Sequence, residues 1–261
     1  MGGNPAPRRV PGQAGGRAAP ADYDSGAMDA PRPIFIHGAG ADPGVWSRQE
    51  PRFEGSASLA LPGHPLGEVA RSVEAAAEWV AGALEEIEPP YVLVGHSLGA
   101  AVVLETAIAH GDRVDGVVAI GGGARLPVDP RLLEGARTDF PGTSRRIAAA
   151  SFVDGEGPVV DELAETIARS GQETLVADLE ACAAFDARGR LGAVRVPVLV
   201  IVGGADRMTP PALSEELTRG LPQATMVVVP EAGHMVMCEQ AGAVDLLIAA
   251  QLARHEASGG G

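Results

Sequence analysis

The chain has 261 residues, a formal net charge of −14, 46% hydrophobic residues and only 3% aromatics. That length buries a sizeable core, built mainly from Ala, Val, Leu and Ile, as one α/β domain with an insertion or as two small domains. The negative charge argues against nucleic acid or an anionic membrane as partner, no run reaches the length of a membrane span, and Arg8-Arg9 lacks the apolar stretch of a secretion signal, so a cytoplasmic location is expected.

Residues 1–30 are rich in Gly, Pro, Ala and Arg without apolar periodicity, and are expected to be disordered. Pro33 to Ile36 reads as a buried strand, followed by the loop His37-Gly38-Ala39-Gly40. Ala57 to Leu61 is a second strand, closed by Pro62-Gly63. Residues 68–87 carry apolar positions at helical spacing: Val69, Val73, Ala76, Ala77, Val80, Leu84 and Ile87. A third strand covers Tyr91 to Val94, a helix 98–110 and a fourth strand Val114 to Ile120.

Residues 124–192 break this alternation, with helical segments around 143–152, 158–170 and 172–184 and no convincing buried strand. A fifth strand follows at Val196 to Val202, then a helix at 210–220, a sixth strand from Thr225 to Val229 and a last helix at about 238–254. Residues 257–261 form an expected unstructured tail. Short apolar strands alternating with helices predict an α/β fold, a mostly parallel sheet with helices on both faces. The expected division is a core of 31–123 and 193–256, with a helical cap at 124–192 over the strand C-terminal ends, where open α/β sheets bind ligands.

Gly95-His96-Ser97-Leu98-Gly99 falls at a predicted strand-to-helix turn, the layout of a nucleophile elbow. With 35 glycines in the chain, such a pentapeptide arises by chance roughly one time in five, so its context carries the weight. Ser97 needs a base to remove its proton as it attacks. His234, in a loop after the sixth strand, lies at the same sheet edge. Asp206, in the loop after the fifth strand, is the candidate carboxylate for His234, with capping of the next helix as its alternative role. The backbone N–H of Leu98 and that of Ala39 are the candidate oxyanion donors. Gly38, Trp46 and Met235 are candidate substrate-pocket residues, with core packing as the alternative for Trp46 and Met235. His37 is expected to fix the oxyanion loop by hydrogen bonds, and His96 to pack beneath the elbow. His64, Phe140 and Phe152 are weaker pocket candidates. Cys182 and Cys238 sit in no metal pattern and read as free thiols.

Five matched elements resemble the α/β-hydrolase superfamily over about residues 31–256: His37-Gly38 with Trp46, Leu61-Pro62-Gly63-His64, the Ser97 pentapeptide, Gly204-Ala205-Asp206 and Gly233-His234. The order Ser97, Asp206, His234 is that superfamily's order. The His-Gly-Ala-Gly form with a downstream Trp is similar to small methylesterases and related hydroxynitrile lyases. The resemblance implies an α/β-hydrolase fold and nucleophile, acid, base and oxyanion roles at the positions above, with no metal or organic cofactor. Two departures stand out: residues 1–30 do not read as the antiparallel strand pair common in relatives, and Pro65 stands where relatives often carry Gly.

The expected activity is a serine hydrolase cleaving a carboxylic ester, thioester or lactone of a small to medium substrate through an acyl-enzyme. A lyase or C–C bond hydrolase on the same triad is an alternative; the lyases commonly need an extra lysine, and this chain is poor in lysine. A non-catalytic ligand-binding protein on the same scaffold is another.

Overall fold

The computed structural model describes residues 31–258. The expected disordered segment 1–30 and residues 259–261 of the expected tail lie outside the described residues.

Six strands form one parallel sheet: β1 (Arg32–Ile36), β2 (Ala57–Leu59), β3 (Tyr91–His96), β4 (Gly116–Ile120), β5 (Val198–Gly203) and β6 (Ala224–Val229). Their spatial order is β2-β1-β3-β4-β5-β6, with every neighbouring pair parallel. Among the described residues no strand precedes β1.

Successive residues of a strand face opposite sides, and both sides are covered. Ile34, Ile36, Leu93, Val117, Ala119, Val198 and Val200 enter one core, shared with helices α1 (Val73–Leu84) and α2 (Leu98–Ala109). Phe35, Val92, Val94, Val118, Ile120, Leu199 and Ile201 enter the other. Burial on both faces is why the central strands read as unbroken apolar runs rather than alternating ones. The edge strands differ: β2 is only half-buried, and β6 exposes Thr225 and Val228.

Between β4 and β5 lie four helices: α3 (Pro130–Thr138), α4 (Phe140–Ser151), α5 (Pro158–Ser170) and α6 (Gln172–Ala184). Three match the expected helical segments. The first, α3, has no counterpart in the sequence reading. It buries only Ala136 and starts from Asp129, whose side chain accepts the Arg131 N–H, followed by Pro130. Helix α7 (Pro211–Gly220) follows β5. The last predicted helix is two, α8 (Val236–Glu239) and α9 (Ala241–Ser258), separated at Gln240. Helix α9 therefore runs two residues into the expected unstructured tail. The predicted helix over 68–87 is also shorter, because Ser72 caps α1 by accepting the Ala75 N–H.

The chain leaves β1 for β2 on one side, then returns to β3 on the other. That reversal opens a crevice beyond the C-terminal ends of β1 and β3. The loop 37–40 and Ser97 stand there.

Candidate active site

The β3–α2 turn depends on two close approaches. A Cβ on Gly95 would lie 2.1 Å from the Gly99 carbonyl oxygen, and one on Gly99 would lie 2.4 Å from that of Ile36. Only glycine fits at either place. Ser97 between them has φ 54° and ψ −113°, a conformation that costs a side-chain-bearing residue about 1–3 kcal/mol. Its N–H is anchored to the Ile120 carbonyl of β4 at 2.9 Å. Leu98 is the first residue of α2, so no carbonyl lies a turn behind its N–H. The helix dipole adds positive potential there.

Asp206 and His234 come from the loops after β5 and β6 and meet at the same edge. Asp206 Oδ2 lies 2.8 Å from His234 Nδ1. Both residues are buried, 4% and 5% exposed. Asp206 Oδ1 accepts the N–H groups of Met208 and Thr209, each at 2.8 Å. Burial alone would raise the Asp206 pKa, but the facing imidazole and these hydrogen bonds hold it below the ordinary carboxylate value. Helix α7 starts beyond Pro210. Asp206 therefore caps the 206–209 turn while facing His234, and does not cap α7.

Three supporting residues were not singled out from sequence. Thr209 Oγ1 lies 2.8 Å from the Gly121 carbonyl, 2.9 Å from Asp206 Oδ2 and 3.1 Å from His234 Nδ1. The Glu239 carboxylate accepts the Gly233 N–H at 2.6 Å and the Val153 N–H at 2.8 Å. Ser151, at the end of α4, accepts the Met235 N–H through its carbonyl at 3.0 Å. The spacing from Asp206 to Thr209, a turn cap followed three residues later by a hydroxyl, is the one signal that could have exposed Thr209.

His37 fixes the loop after β1. Its Nδ1–H donates to the Gly38 carbonyl at 2.9 Å, and its Nε2 accepts the Leu61 N–H at 3.1 Å. One donated and one accepted bond define a neutral ring. Burial, then the nearby His64 charge, lower its pKa to about 3. His96 donates Nε2–H to the His234 main-chain carbonyl at 3.0 Å. Burial, then His234, lower its pKa to about 3 as well.

A cavity of about 270 Å³ opens over these groups. Gly38, Ala39, Ser97, His234 and Met235 line it, together with Leu163, Ile167, Leu175 and Leu179 from α5 and α6 and Arg207 and Met208 beside Asp206. Trp46 does not line it. Its ring is fully buried 4.9 Å from that of Phe35. Large aromatic area is well buried in this aromatic-poor core, which fits the core-packing alternative for Trp46. Phe140 and Phe152 pack in the same core and also stand outside the lining, as does His64, which bonds Asp178 of α6. Glu231 is exposed and takes no part. Both cysteines are free thiols, and burial pushes Cys238 up to about 11. Among the described residues no group of three His, Cys, Asp or Glu is arranged to hold a metal ion. No helix among them is long and apolar enough to cross a membrane.

The chain is similar to known esterases. The chain is 31% identical over 228 residues to a pimeloyl-(acyl-carrier protein) methyl ester esterase of Neisseria meningitidis, covering 79% of this chain and 72% of that protein. It is 31% identical over 232 residues to the protein of the same name from Aromatoleum aromaticum, covering 79% and 92%. Among solved structures, a thermophilic esterase superposes with a TM-score of 0.77 at 28% identity, covering 85% of this chain and 90% of that one. An enol-lactonase from Burkholderia xenovorans shares the fold with a TM-score of 0.79 at 22% identity, covering 88% and 94%. The Alpha/beta hydrolase family profile matches residues 34–244, and the chain belongs to that family, in company with its ester-hydrolysing members.

Proposed function

We propose that the protein hydrolyses a carboxylic ester of small to medium size through an acyl-enzyme on Ser97. The observation that carries this reading is the buried Asp206–His234 pair at the wall of the cavity that also contains the strained Ser97. Ser97 Oγ attacks the carbonyl carbon while His234 Nε2 takes its proton. Asp206 holds the other ring nitrogen and favours the imidazolium that forms. The oxyanion rests on the N–H groups of Ala39 and Leu98. His234 then protonates the departing alcohol, and water reverses the sequence on the acyl-enzyme.

The helices α3–α6 act as a cap in this reading, since their side chains supply the apolar wall facing Ser97. A cavity of about 270 Å³ suits a short acyl chain. The lactone and thioester forms use the same steps. The names of the relatives favour a second substrate reading, a methyl ester on a carrier protein. Four of the five arginines on α3–α6, Arg137, Arg145, Arg146 and Arg169, already bond a carboxylate, which supports a free ester first.

The test is hydrolysis of p-nitrophenyl acetate, butyrate and octanoate by the wild type and by Ser97→Ala. Turnover that vanishes in the variant supports the reading. A folded wild type that turns over neither these nor a carrier-bound methyl ester overturns it and moves the lyase, C–C hydrolase and binding-protein alternatives forward.

A further inference from the structure

Asp178 of α6 is 3% exposed and lies outside the triad, yet its Oδ2 takes two hydrogen bonds at the edge of the site. One comes from the Gly40 N–H at 2.7 Å, the other from His64 Nε2 at 2.9 Å. His64 is also buried, and its Nδ1 lies 3.2 Å from the Leu61 carbonyl. The Leu61 N–H in turn reaches His37, and His37 reaches the Gly38 carbonyl. A continuous chain of bonds thus runs from an inserted helix to the loop 38–40.

The peptide geometry gives this chain a consequence. The Gly38 carbonyl and the Ala39 N–H belong to one planar trans peptide and point in opposite directions. Binding the Gly38 oxygen to His37 therefore turns the Ala39 N–H the other way. Asp178 fixes the next peptide by its N–H. Ala39 is held between two anchored peptide planes, and among the described residues no acceptor takes its own N–H. Packing repeats the constraint: Gly40 has φ +63°, and a Cβ there would lie 3.1 Å from Leu175 and 3.2 Å from Ile167. Thr174 Oγ1 adds a bond to the Gly63 carbonyl at 3.0 Å. A buried ion pair is a costly way to hold a helix to a loop where apolar side chains would serve.

We propose that Asp178 and His64 are positioning residues for the oxyanion loop, setting the Ala39 N–H through the Gly40 amide so that the hole is complete only with α6 in place. The proposal rests on the reading of Ser97 as nucleophile and Ala39 as an oxyanion donor. The groups facing His64 are Asp178 from α6, with Cys182 beyond it, and the neutral His37 at a ring separation of 4.6 Å. Burial opposes a charge on His64, but the Asp178 carboxylate outweighs it and raises the His64 pKa. The imidazolium fits its two acceptors, Asp178 and the Leu61 carbonyl. Raising the pH through its pKa removes one of those bonds and leaves the carboxylate charge unpaired.

The experiment measures kcat and KM for p-nitrophenyl butyrate from pH 5.5 to 9.5 in the wild type, Asp178→Asn, His64→Gln and the double variant, with Ser97→Ala as control. A misplaced oxyanion donor lowers kcat, so Asp178→Asn should lose about 10–100-fold in kcat with KM little changed. The double variant restores a neutral hydrogen-bonded pair and should recover most of that loss. An alkaline fall in wild-type kcat should disappear in the double variant. Should Asp178→Asn fail to fold, the wild-type and double-variant pH profiles decide alone. Unchanged kcat in Asp178→Asn, an effect confined to KM, or identical alkaline limbs in the wild type and the double variant would overturn the proposal while leaving the esterase reading intact. Absence of Ser97-dependent turnover in the wild type would remove both.

Discussion

The ring of His96 lies 4.5 Å from the ring of His234, and its Nε2–H holds the His234 main-chain carbonyl at 3.0 Å. The residue before Ser97 thus anchors the backbone of the loop that carries the proposed base. The tie is to the carbonyl, so it sets the height of the loop above the sheet rather than the proton on the ring. His96→Gln keeps an N–H near the same place, and kcat should stay within about threefold of the wild type. His96→Ala leaves the carbonyl unpaired and opens a void, so stability should fall by about 2–4 kcal/mol and kcat with it. Urea unfolding and steady-state kinetics on both variants check this.

Thr209 and Asp206 should separate in kinetics. Asp206→Asn loses the charge facing the imidazolium and favours the wrong ring tautomer, so kcat should drop by about 10⁴. Thr209→Val removes one of four hydrogen bonds to the carboxylate, and about tenfold is expected. Equal losses in the two variants would mean that Thr209 does more than support Asp206.

Stability should depend on pH with opposite signs at different histidines. His37 and His96 titrate near pH 3 when folded, against about 6.5 when unfolded. Below about pH 6.5 the unfolded chain binds protons that the folded chain refuses, and each ring costs up to about 1.4 kcal/mol per pH unit on acidification. Asp206, with a lowered pKa, contributes stability above the ordinary carboxylate value and loses it as pH falls through its folded pKa. His64, with a raised pKa, contributes fully below about pH 6.5 and loses that contribution as pH rises through its folded value. Urea midpoints from pH 4 to 9 should therefore fall on both sides, and His96→Gln should flatten the acid limb. A midpoint constant between pH 4 and 6.5 would contradict the buried neutral rings.

Leu175 and Trp46 should report on different properties. Leu175 lines the cavity from α6, so Leu175→Ala should shift preference from p-nitrophenyl butyrate towards octanoate by severalfold in kcat/KM. Trp46→Ala should destabilise the fold by about 3–5 kcal/mol and leave the ratio of the two esters unchanged. A change in that ratio for Trp46→Ala would return it to the pocket.

Most of the sheet was legible because strands buried on both faces read as short apolar runs between glycine and proline turns. Four of the six strands, β1, β3, β4 and β5, are such runs. Helix α3 was not legible because it buries a single residue and so prints no apolar stripe. The break at Gln240 was hidden because apolar residues continue on both sides of it.

The sequence by itself determined the order Ser97, Asp206, His234 and the two glycines without which the elbow cannot turn, since local geometry forbids any other residue there. Tertiary structure alone decided that Thr209 shares the Asp206 carboxylate, that Glu239 holds the Gly233 amide and that Trp46 lies away from the cavity. It also decided that Asp178, 114 positions from His64, meets it beside the loop after β1. A carboxylate on a helix has no local signature of its partner. The pairing exists only in the folded chain, where α6 meets the loop after β1 and burial removes the water that would otherwise separate the two side chains.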